Sequence, residues 1–189
     1  MTDSTQHPGV KNVEHGVRGA IVLVFLVGIR RRNPGAVVNA IFSLAGTYIP
    51  ATLERVLGVE FHPWQRVYIE TAMLTHSVGM LGPYDDVWWW DHVTHTHSAS
   101  VLGGIVHVVS HRRGHNPRSR VLGIVVCFGI LWELIEYGIH FAAKRLGIEP
   151  ILVQYGREDT VFDLLFNLVG ALLVVVFGDR LLDNFTDEP

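Results

Sequence analysis

Cysteine and lysine are the residue types that this chain of 189 residues has least of. There is one cysteine, Cys127, and there are two lysines, Lys11 and Lys144. A single cysteine excludes an internal disulfide and a metal cluster held by several thiolates. Cys127 lies in an apolar run, where its expected role is that of a small buried hydrophobic side chain.

Charged residues of both signs are also scarce. They make up 17% of the chain, against about 25% in a typical soluble domain, while 49% of the residues are hydrophobic. This balance favours a membrane protein. The formal net charge of −3 argues against nucleic acid as a partner, so membrane lipids are the expected partners.

The first 16 residues are polar and have neither an apolar core nor a cleavage site, so we expect no signal peptide there. Insertion must therefore use internal segments. We predict a polar tail over residues 1–16, a single transmembrane helical domain over residues 17–181 and a second polar tail over residues 182–189. The expected location is the cell (plasma) membrane, crossed several times.

Several internal segments approach the roughly 20 apolar residues that a helix needs to cross a bilayer. They lie at residues 17–29, 36–53, 67–84, 91–109, 121–143 and 160–178. The third carries Glu70 and His76, and histidines interrupt the fourth. Nothing alternates like a barrel strand, and backbone groups in hydrocarbon must be satisfied within the segment. We predict an all-α polytopic transmembrane helical bundle of about six spans, with basic residues weakly favouring the N-terminus inside.

Carboxylates in the last three predicted spans give the main functional signal. A charge at the membrane centre costs about 2.5 to 3.5 kcal/mol, so buried acids need an explanation. At 3.6 residues per turn, the polar residues of each helix share one face. These residues are Asp91 and His95 in the fourth span, Glu133, Glu136 and His140 in the fifth, and Asp159, Asp163 and Asn167 in the sixth. The three faces match in depth, which predicts one shared site near one membrane face.

Clustered carboxylates repel one another unless a cation or shared protons offset their charge. A divalent metal, Zn, Mn or Fe, would suit oxygen and imidazole ligands. We predict Asp91, His95, Asp159 and Asp163 as its ligands. Glu133 and Glu136 are then candidate catalytic residues that accept a proton from metal-activated water.

Other polar residues near these faces have more than one interpretation. His92 and His97 lie off the face of Asp91, where contacts with lipid headgroups compete with metal binding. Glu70 and His76 in the third segment are further candidates for lining the same cavity. The three tryptophans of "WWWDHVTHTHSAS", Trp88 to Trp90, are typical of the aromatic belt that fixes a helix at the membrane surface.

The order "YDDVWWWDHVTH", "WELIEY", "EDTVFDLLFNLVGALL" resembles the YjdF-like family of small multi-pass prokaryotic membrane proteins. In that family an Asp-x-x-x-His helix start, a Glu-x-x-Glu helix and an Asp-x-x-x-Asp helix recur in this order. The ending D-x-x-x-N-x-x-G, here Asp163, Asn167 and Gly170, is distantly similar to VanZ-like proteins. The resemblance covers residues 84–178 and implies a helical membrane fold with an acidic and histidine site, but no substrate.

Three classes of function therefore stay open. The first is a metal-dependent enzyme that acts on a lipid-like substrate. The second is a proton-coupled or ion transporter or channel, in which a subset of the carboxylates stays protonated. The third is a structural or partner-binding membrane protein, in which the polar faces only fix helix packing. No motif of a soluble enzyme, such as HExxH or CxxC, appears in the chain.

Overall fold

A computed structural model describes residues 8–186 of the chain, and this range contains helices and their connections but no strand. The helices are α1 (Pro8–Arg31), α2 (Pro34–Gly46), α3 (Ile49–Leu57), α4 (Pro63–Gly79), α5 (Pro83–Asp86), α6 (Trp90–Arg112), α7 (Pro117–Leu146), α8 (Arg157–Leu181) and α9 (Asp183–Thr186). The all-α prediction is confirmed for the described residues. Contacts group the chain into two compact units that meet in sequence at Asp86 and Val87.

The first unit is built on α1, α2 and α4, each of which contacts the other two. Its core consists of Val17, Ile21 and Val24 on one face of α1, packed with Ala40 of α2. Helix α1 begins at Pro8, earlier than the predicted start at residue 17. Proline suits the first turn of a helix because the amide hydrogen that it lacks has no partner there.

The segment predicted as one helix over residues 36–53 is broken into α2 and α3. Pro50 lies in the first turn of α3 and cannot donate the backbone hydrogen bond that a continuous helix would need. The Thr47 hydroxyl donates a hydrogen bond to the Leu44 carbonyl at 2.7 Å. The Arg18 guanidinium of α1 donates a hydrogen bond to the Thr47 carbonyl at 3.3 Å. A charged side chain therefore pairs with a backbone carbonyl at the break between α2 and α3.

The second unit is built on α6, α7 and α8, which also contact one another in pairs. Its buried apolar core is shared by the three helices and consists of Ala99, Val106, Val121, Val125, Ala171 and Val174. Glycine brings α6 and α8 close together, because a Cβ on Gly170 would clash with the carbonyl oxygen of Thr96. The Thr96 hydroxyl donates to the Phe166 carbonyl at 3.2 Å and ties the same two helices.

Large apolar side chains point outward from the long helices. Phe42 of α2, Leu134 of α7 and Val176 of α8 have exposed fractions of 74%, 63% and 66%. An apolar outer surface of this kind fits a lipid surrounding better than water.

Within the described residues, four helical segments are long and apolar enough to cross a membrane. They are Gly9–Arg31, Pro34–Val56, Pro117–Leu146 and Arg157–Leu181. The third and fourth predicted spans correspond to α4 and α6, whose buried charges and histidines reduce their apolar character. The number of about six spans stays a prediction.

The predicted division into one domain and two tails also stays a prediction. Residues 8–16 of the expected N-terminal tail form the start of α1, and α9 lies in the expected C-terminal tail. The rest of the N-terminal tail, residues 1–7, and residues 187–189 lie outside the described range.

Candidate metal site in the second unit

Asp91, His95 and Asp163 form a compact group at the end of the second unit where α6 and α8 begin. Asp91 lies in the first turn of α6, and His95 follows one turn later on the same face. His95 Nε2 lies 3.4 Å from Asp91 Oδ1 and 3.6 Å from Asp163 Oδ1. Each of the three residues offers one ligand atom, and these atoms lie within 4.8 Å of one another. This group can hold a metal ion.

Burial makes the charges of this group costly. Asp163 has an exposed fraction of 3% and His95 one of 8%, whereas Asp91 is half-buried. Asp163 Oδ1 has no hydrogen-bond partner among the described residues. A buried acceptor without a partner loses the hydrogen bonds that water would have made. A bound cation or a shared proton would compensate for this loss.

Asn167 orients the His95 ring. The Asn167 side-chain oxygen lies 3.3 Å from His95 Nδ1, and an amide oxygen can only accept a hydrogen bond. Nδ1 therefore donates, and Nε2 is the nitrogen that faces Asp91 and Asp163. A second hydrogen bond of this kind is typical of metal-binding histidines, because it fixes the ring and the position of its proton.

The glutamates of α7 lie around this group but are not part of it. Glu133 is buried and interacts electrostatically with His95, Asp159 and Asp91. Its Oε1 atom has no hydrogen-bond partner within the described range. Glu136 is half-buried and interacts with the charges of Glu133, Asp91 and Asp159. The structure thus brings the polar faces of α6, α7 and α8 together.

Asp159 is the predicted ligand that falls outside the three-residue group. It lies one turn before Asp163 on α8 and interacts electrostatically with Asp91 and His95. Its ligand role stays a prediction.

His92 and His97 are also outside the group, although they flank His95 in the sequence. The His92 ring stacks on Phe166 with a centroid distance of 4.4 Å and an interplanar angle of 6°. It also packs against Phe162 at 5.5 Å. Of these three histidines, His95 is the one whose ring lies between carboxylates of α6 and α8.

His140 has a role that the helical pattern did not predict. Its Nδ1 atom accepts a hydrogen bond from the Gln154 backbone at 3.2 Å, which fixes the connection between α7 and α8. The Gln154 side chain in turn donates to the Thr160 hydroxyl at 3.5 Å. The signal available in the sequence was only the position of His140 on the same face as Glu133 and Glu136.

Glu70 and His76 make their described contacts within the first unit. Glu70 accepts a hydrogen bond from Arg18 at 2.9 Å, and His76 Nδ1 lies 2.8 Å from the Tyr84 hydroxyl. Sequence reasoning missed Arg18 as the partner of Glu70, because the two residues lie far apart in the chain.

Comparison with known proteins places this architecture among membrane proteins. Residues 14–184 match a family model described as "Predicted membrane protein (DUF2238)". An uncharacterized protein of Thermotoga maritima is 24% identical over 165 residues, which cover 79% of this chain and 83% of that protein. No solved structure matches the chain.

Proposed function

Because the chain belongs to the DUF2238 family of predicted membrane proteins, we propose that it is a multi-pass membrane enzyme whose Asp91, His95 and Asp163 bind a divalent metal. One observation carries this proposal. Three ligand atoms from two helices lie within 4.8 Å of one another, and one of them, Asp163 Oδ1, is buried without a hydrogen-bond partner. A cation at this position would neutralise the carboxylates that now face each other.

The donor set favours Zn, Mn or Fe. Two carboxylates and one imidazole are hard and intermediate ligands, which these ions accept. Catalytic metals are commonly held by three protein ligands and keep a further position for water or substrate. Asp159 is a candidate fourth ligand, since it lies one turn from Asp163 on the same helix.

The reaction that suits these residues is hydrolysis of a lipid-like substrate. A metal in this site would supply a Lewis acid and an activated water. Glu133 is the candidate general base, and its buried carboxylate is free at Oε1 to accept a proton. Glu136, one turn further along α7, can pass that proton toward the end of the unit where α6 and α8 begin. The exposed apolar side chains of α7 and α8 would keep a lipid chain beside the site.

A cell-membrane location with about six crossings is part of the same proposal. Helix α6 has 23 residues, which at 1.5 Å per residue gives about 34 Å, enough to cross the hydrocarbon layer. It packs along two candidate spans, α7 and α8, so its polar face lies against protein rather than lipid. Assignment to the YjdF-like group, and its distant VanZ-like relation, belongs to this proposal as well.

A proton or ion transporter is the second candidate. It is favoured because the site has more carboxylates than one bound cation needs as ligands. Transport requires a path to the opposite membrane face. In the second unit the apolar core of Ala99, Val121, Val125 and Val174 lies between the acidic end and the other end of the helices. This apolar layer supports a site that opens to one face. A purely structural role would leave Asp163 Oδ1 uncompensated.

Metal content tests the proposal directly. The protein is purified in detergent without chelator, and bound metals are measured by mass spectrometry. We expect close to one equivalent of metal in the natural protein and a loss of most of it in Asp163→Asn, because the amide removes a charged ligand. Added Zn or Mn should raise the melting temperature of the natural protein, since ligand binding to the folded state stabilises it.

Asp179→Asn is the matched control for this experiment. Asp179 lies near the other end of the same helix, and its side chain is 61% exposed. This variant should retain the metal and its thermal effect. If the natural protein holds no stoichiometric metal and is not stabilised by Zn, Mn or Fe, the metalloenzyme proposal fails.

A further inference from the structure

The first unit holds a buried network of charges that is separate from the metal site. Its members come from three helices and are Glu14 and Arg18 of α1, Glu54 of α3, and Arg66 and Glu70 of α4. Glu70 is fully buried, and Arg66 and Glu14 are nearly so. Charges removed from water in this way must be paired or neutralised.

Arg66 links two of the carboxylates. It lies 2.6 Å from Glu14 through Nε and 2.6 Å from Glu54 through Nη1. Glu54 also accepts a hydrogen bond from the Phe61 backbone at 3.2 Å. Glu14 and Glu54 each accept a short charge-assisted hydrogen bond from Arg66.

Arg18 divides its donors among several acceptors. It donates to the Thr47 hydroxyl at 3.2 Å and to the Thr47 carbonyl at 3.3 Å, and it stacks over the Tyr48 ring at 4.4 Å. Its Nη2 atom also lies 2.9 Å from Glu70 Oε1 and 3.5 Å from Glu14. Glu70 thus receives one hydrogen bond from a cation that is already shared.

The other oxygen of this carboxyl group is unpartnered. Glu70 Oε2 is buried and has no hydrogen-bond partner within the described part of the chain. The network contains two guanidinium groups against three carboxyl groups, so it carries one negative charge too many if all are ionised. Neither α2, which has no charged side chain, nor α5, whose Asp85 and Asp86 are acidic, offers a compensating cation.

We propose that Glu70 is a proton-binding site, occupied in the folded protein at neutral pH. A neutral Glu70 still accepts the Arg18 hydrogen bond at Oε1 and carries its proton on Oε2. The remaining charges of Glu14, Glu54, Arg18 and Arg66 then balance. The proton is the ligand of this site.

Proton binding at this position predicts how stability depends on pH. The folded state would hold a proton that the unfolded chain releases above about pH 4.3, the ordinary pKa of glutamate. Stability therefore falls as pH rises above that value, for as long as the folded protein keeps the proton. One such proton corresponds to a loss in melting temperature of about 3 °C per pH unit for a chain of this size.

Glu70→Gln and Glu54→Gln form the test pair, measured in detergent between pH 5 and pH 9. Glutamine copies the shape of a protonated glutamate, so Glu70→Gln should melt at or above the natural protein at pH 8 and lose about 3 °C per pH unit of its pH dependence. Glu54→Gln removes an ionised partner of Arg66 and should melt lower at every pH. Infrared spectra at pH 7 should show a carboxylic acid C=O absorption that Glu70→Gln removes and Glu54→Gln leaves in place.

The opposite results would overturn the proposal. These are a natural protein whose carboxylic acid band is unchanged by Glu70→Gln, or a Glu70→Gln variant that melts lower with an unaltered pH slope. If Glu70→Gln fails to fold while Glu70→Asp folds, the charge on Glu70 is required and the proposal is also wrong. Metal content serves as the internal control, because it should be the same in all these variants.

Discussion

At the scale of single residues, the three histidines near the start of α6 differ in the groups that surround their rings. His95 lies between Asp91 and Asp163 and is oriented by Asn167. His92 lies in an aromatic setting, stacked on Phe166. A ring between two carboxylates can bind a cation through its lone pair or donate a hydrogen bond when protonated, whereas a stacked ring contributes mainly packing.

This difference predicts opposite effects for two substitutions. His95→Gln should lower the affinity for Zn by at least about 100-fold, because losing a ligand costs more than the 10- to 100-fold loss typical of outer-shell partners. His92→Phe keeps the ring that packs on Phe166 and should bind Zn like the natural protein. Isothermal titration with Zn at pH 7.5 measures both. Equal losses in the two variants would contradict the assignment of His95.

Much of the site at this scale could be predicted from the sequence. The spacing of four between Asp91 and His95, and between Asp163 and Asn167, places each pair on one helical face. The sequence did not show that Asp91, His95 and Asp163 lie closer to one another than to Asp159, because the distances between residues of different helices depend on how α6 and α8 pack. The pairing of Arg66 with Glu14 was also invisible, since it depends on how α1 packs against α4.

At the scale of helices, one glycine allows the two sides of the candidate metal site to approach each other. Gly170 allows α8 to approach the α6 backbone at Thr96, the residue next to His95. The next turn of α8 toward its N-terminus carries Asn167, and the one before that carries Asp163. The distance between α6 and α8 therefore controls the distance between ligands on different helices.

Gly170→Ala should separate α6 from α8. We expect a loss of about 1–3 kcal/mol in stability, the usual cost of overpacking, together with weaker metal binding. Gly123→Ala on α7 is the control, because a Cβ there meets nothing within 4 Å. Melting temperature and metal content check both variants. A Gly170→Ala protein that keeps its full metal content would show that the close approach is not needed for the site.

Helices themselves were easier to predict than their ends and breaks. Each predicted span corresponds to a helical region, because long apolar runs leave few alternatives. The break between α2 and α3 was missed, although Pro50 was visible in the sequence. A proline shows which backbone hydrogen bond a helix lacks. The Arg18 side chain that donates to the Thr47 carbonyl comes from another helix, so this contact could not be predicted from the local sequence.

At the scale of the whole molecule, the number of crossings is the main open prediction. Hydropathy and length identify four spans in the described residues, whereas the proposal adds α4 and α6. These two helices bury charged or polar groups against neighbouring helices, which keeps those groups away from lipid. A hydropathy value calculated for one helix alone does not include this effect.

Cysteine labelling separates the two arrangements. In a Cys127→Ser background, Asp85→Cys and Gly114→Cys introduce single thiols before and after α6. With six crossings, a membrane-impermeant thiol reagent added to intact cells should label one of them and not the other. With four crossings, the whole region from α4 to α6 stays on one side, so the two thiols should behave alike.

The apolar core of the second unit has a further consequence for the electrical behaviour of the protein. If the chain crosses the membrane six times, the buried side chains of Val121, Val125 and Val174 would form an apolar layer across which much of the membrane voltage would fall. Moving one charge through the full voltage is worth about 2.3 kcal/mol per 100 mV. A cation that enters at Asp91 passes through only a small part of this field. Metal loading should therefore be nearly the same in energised and de-energised membranes.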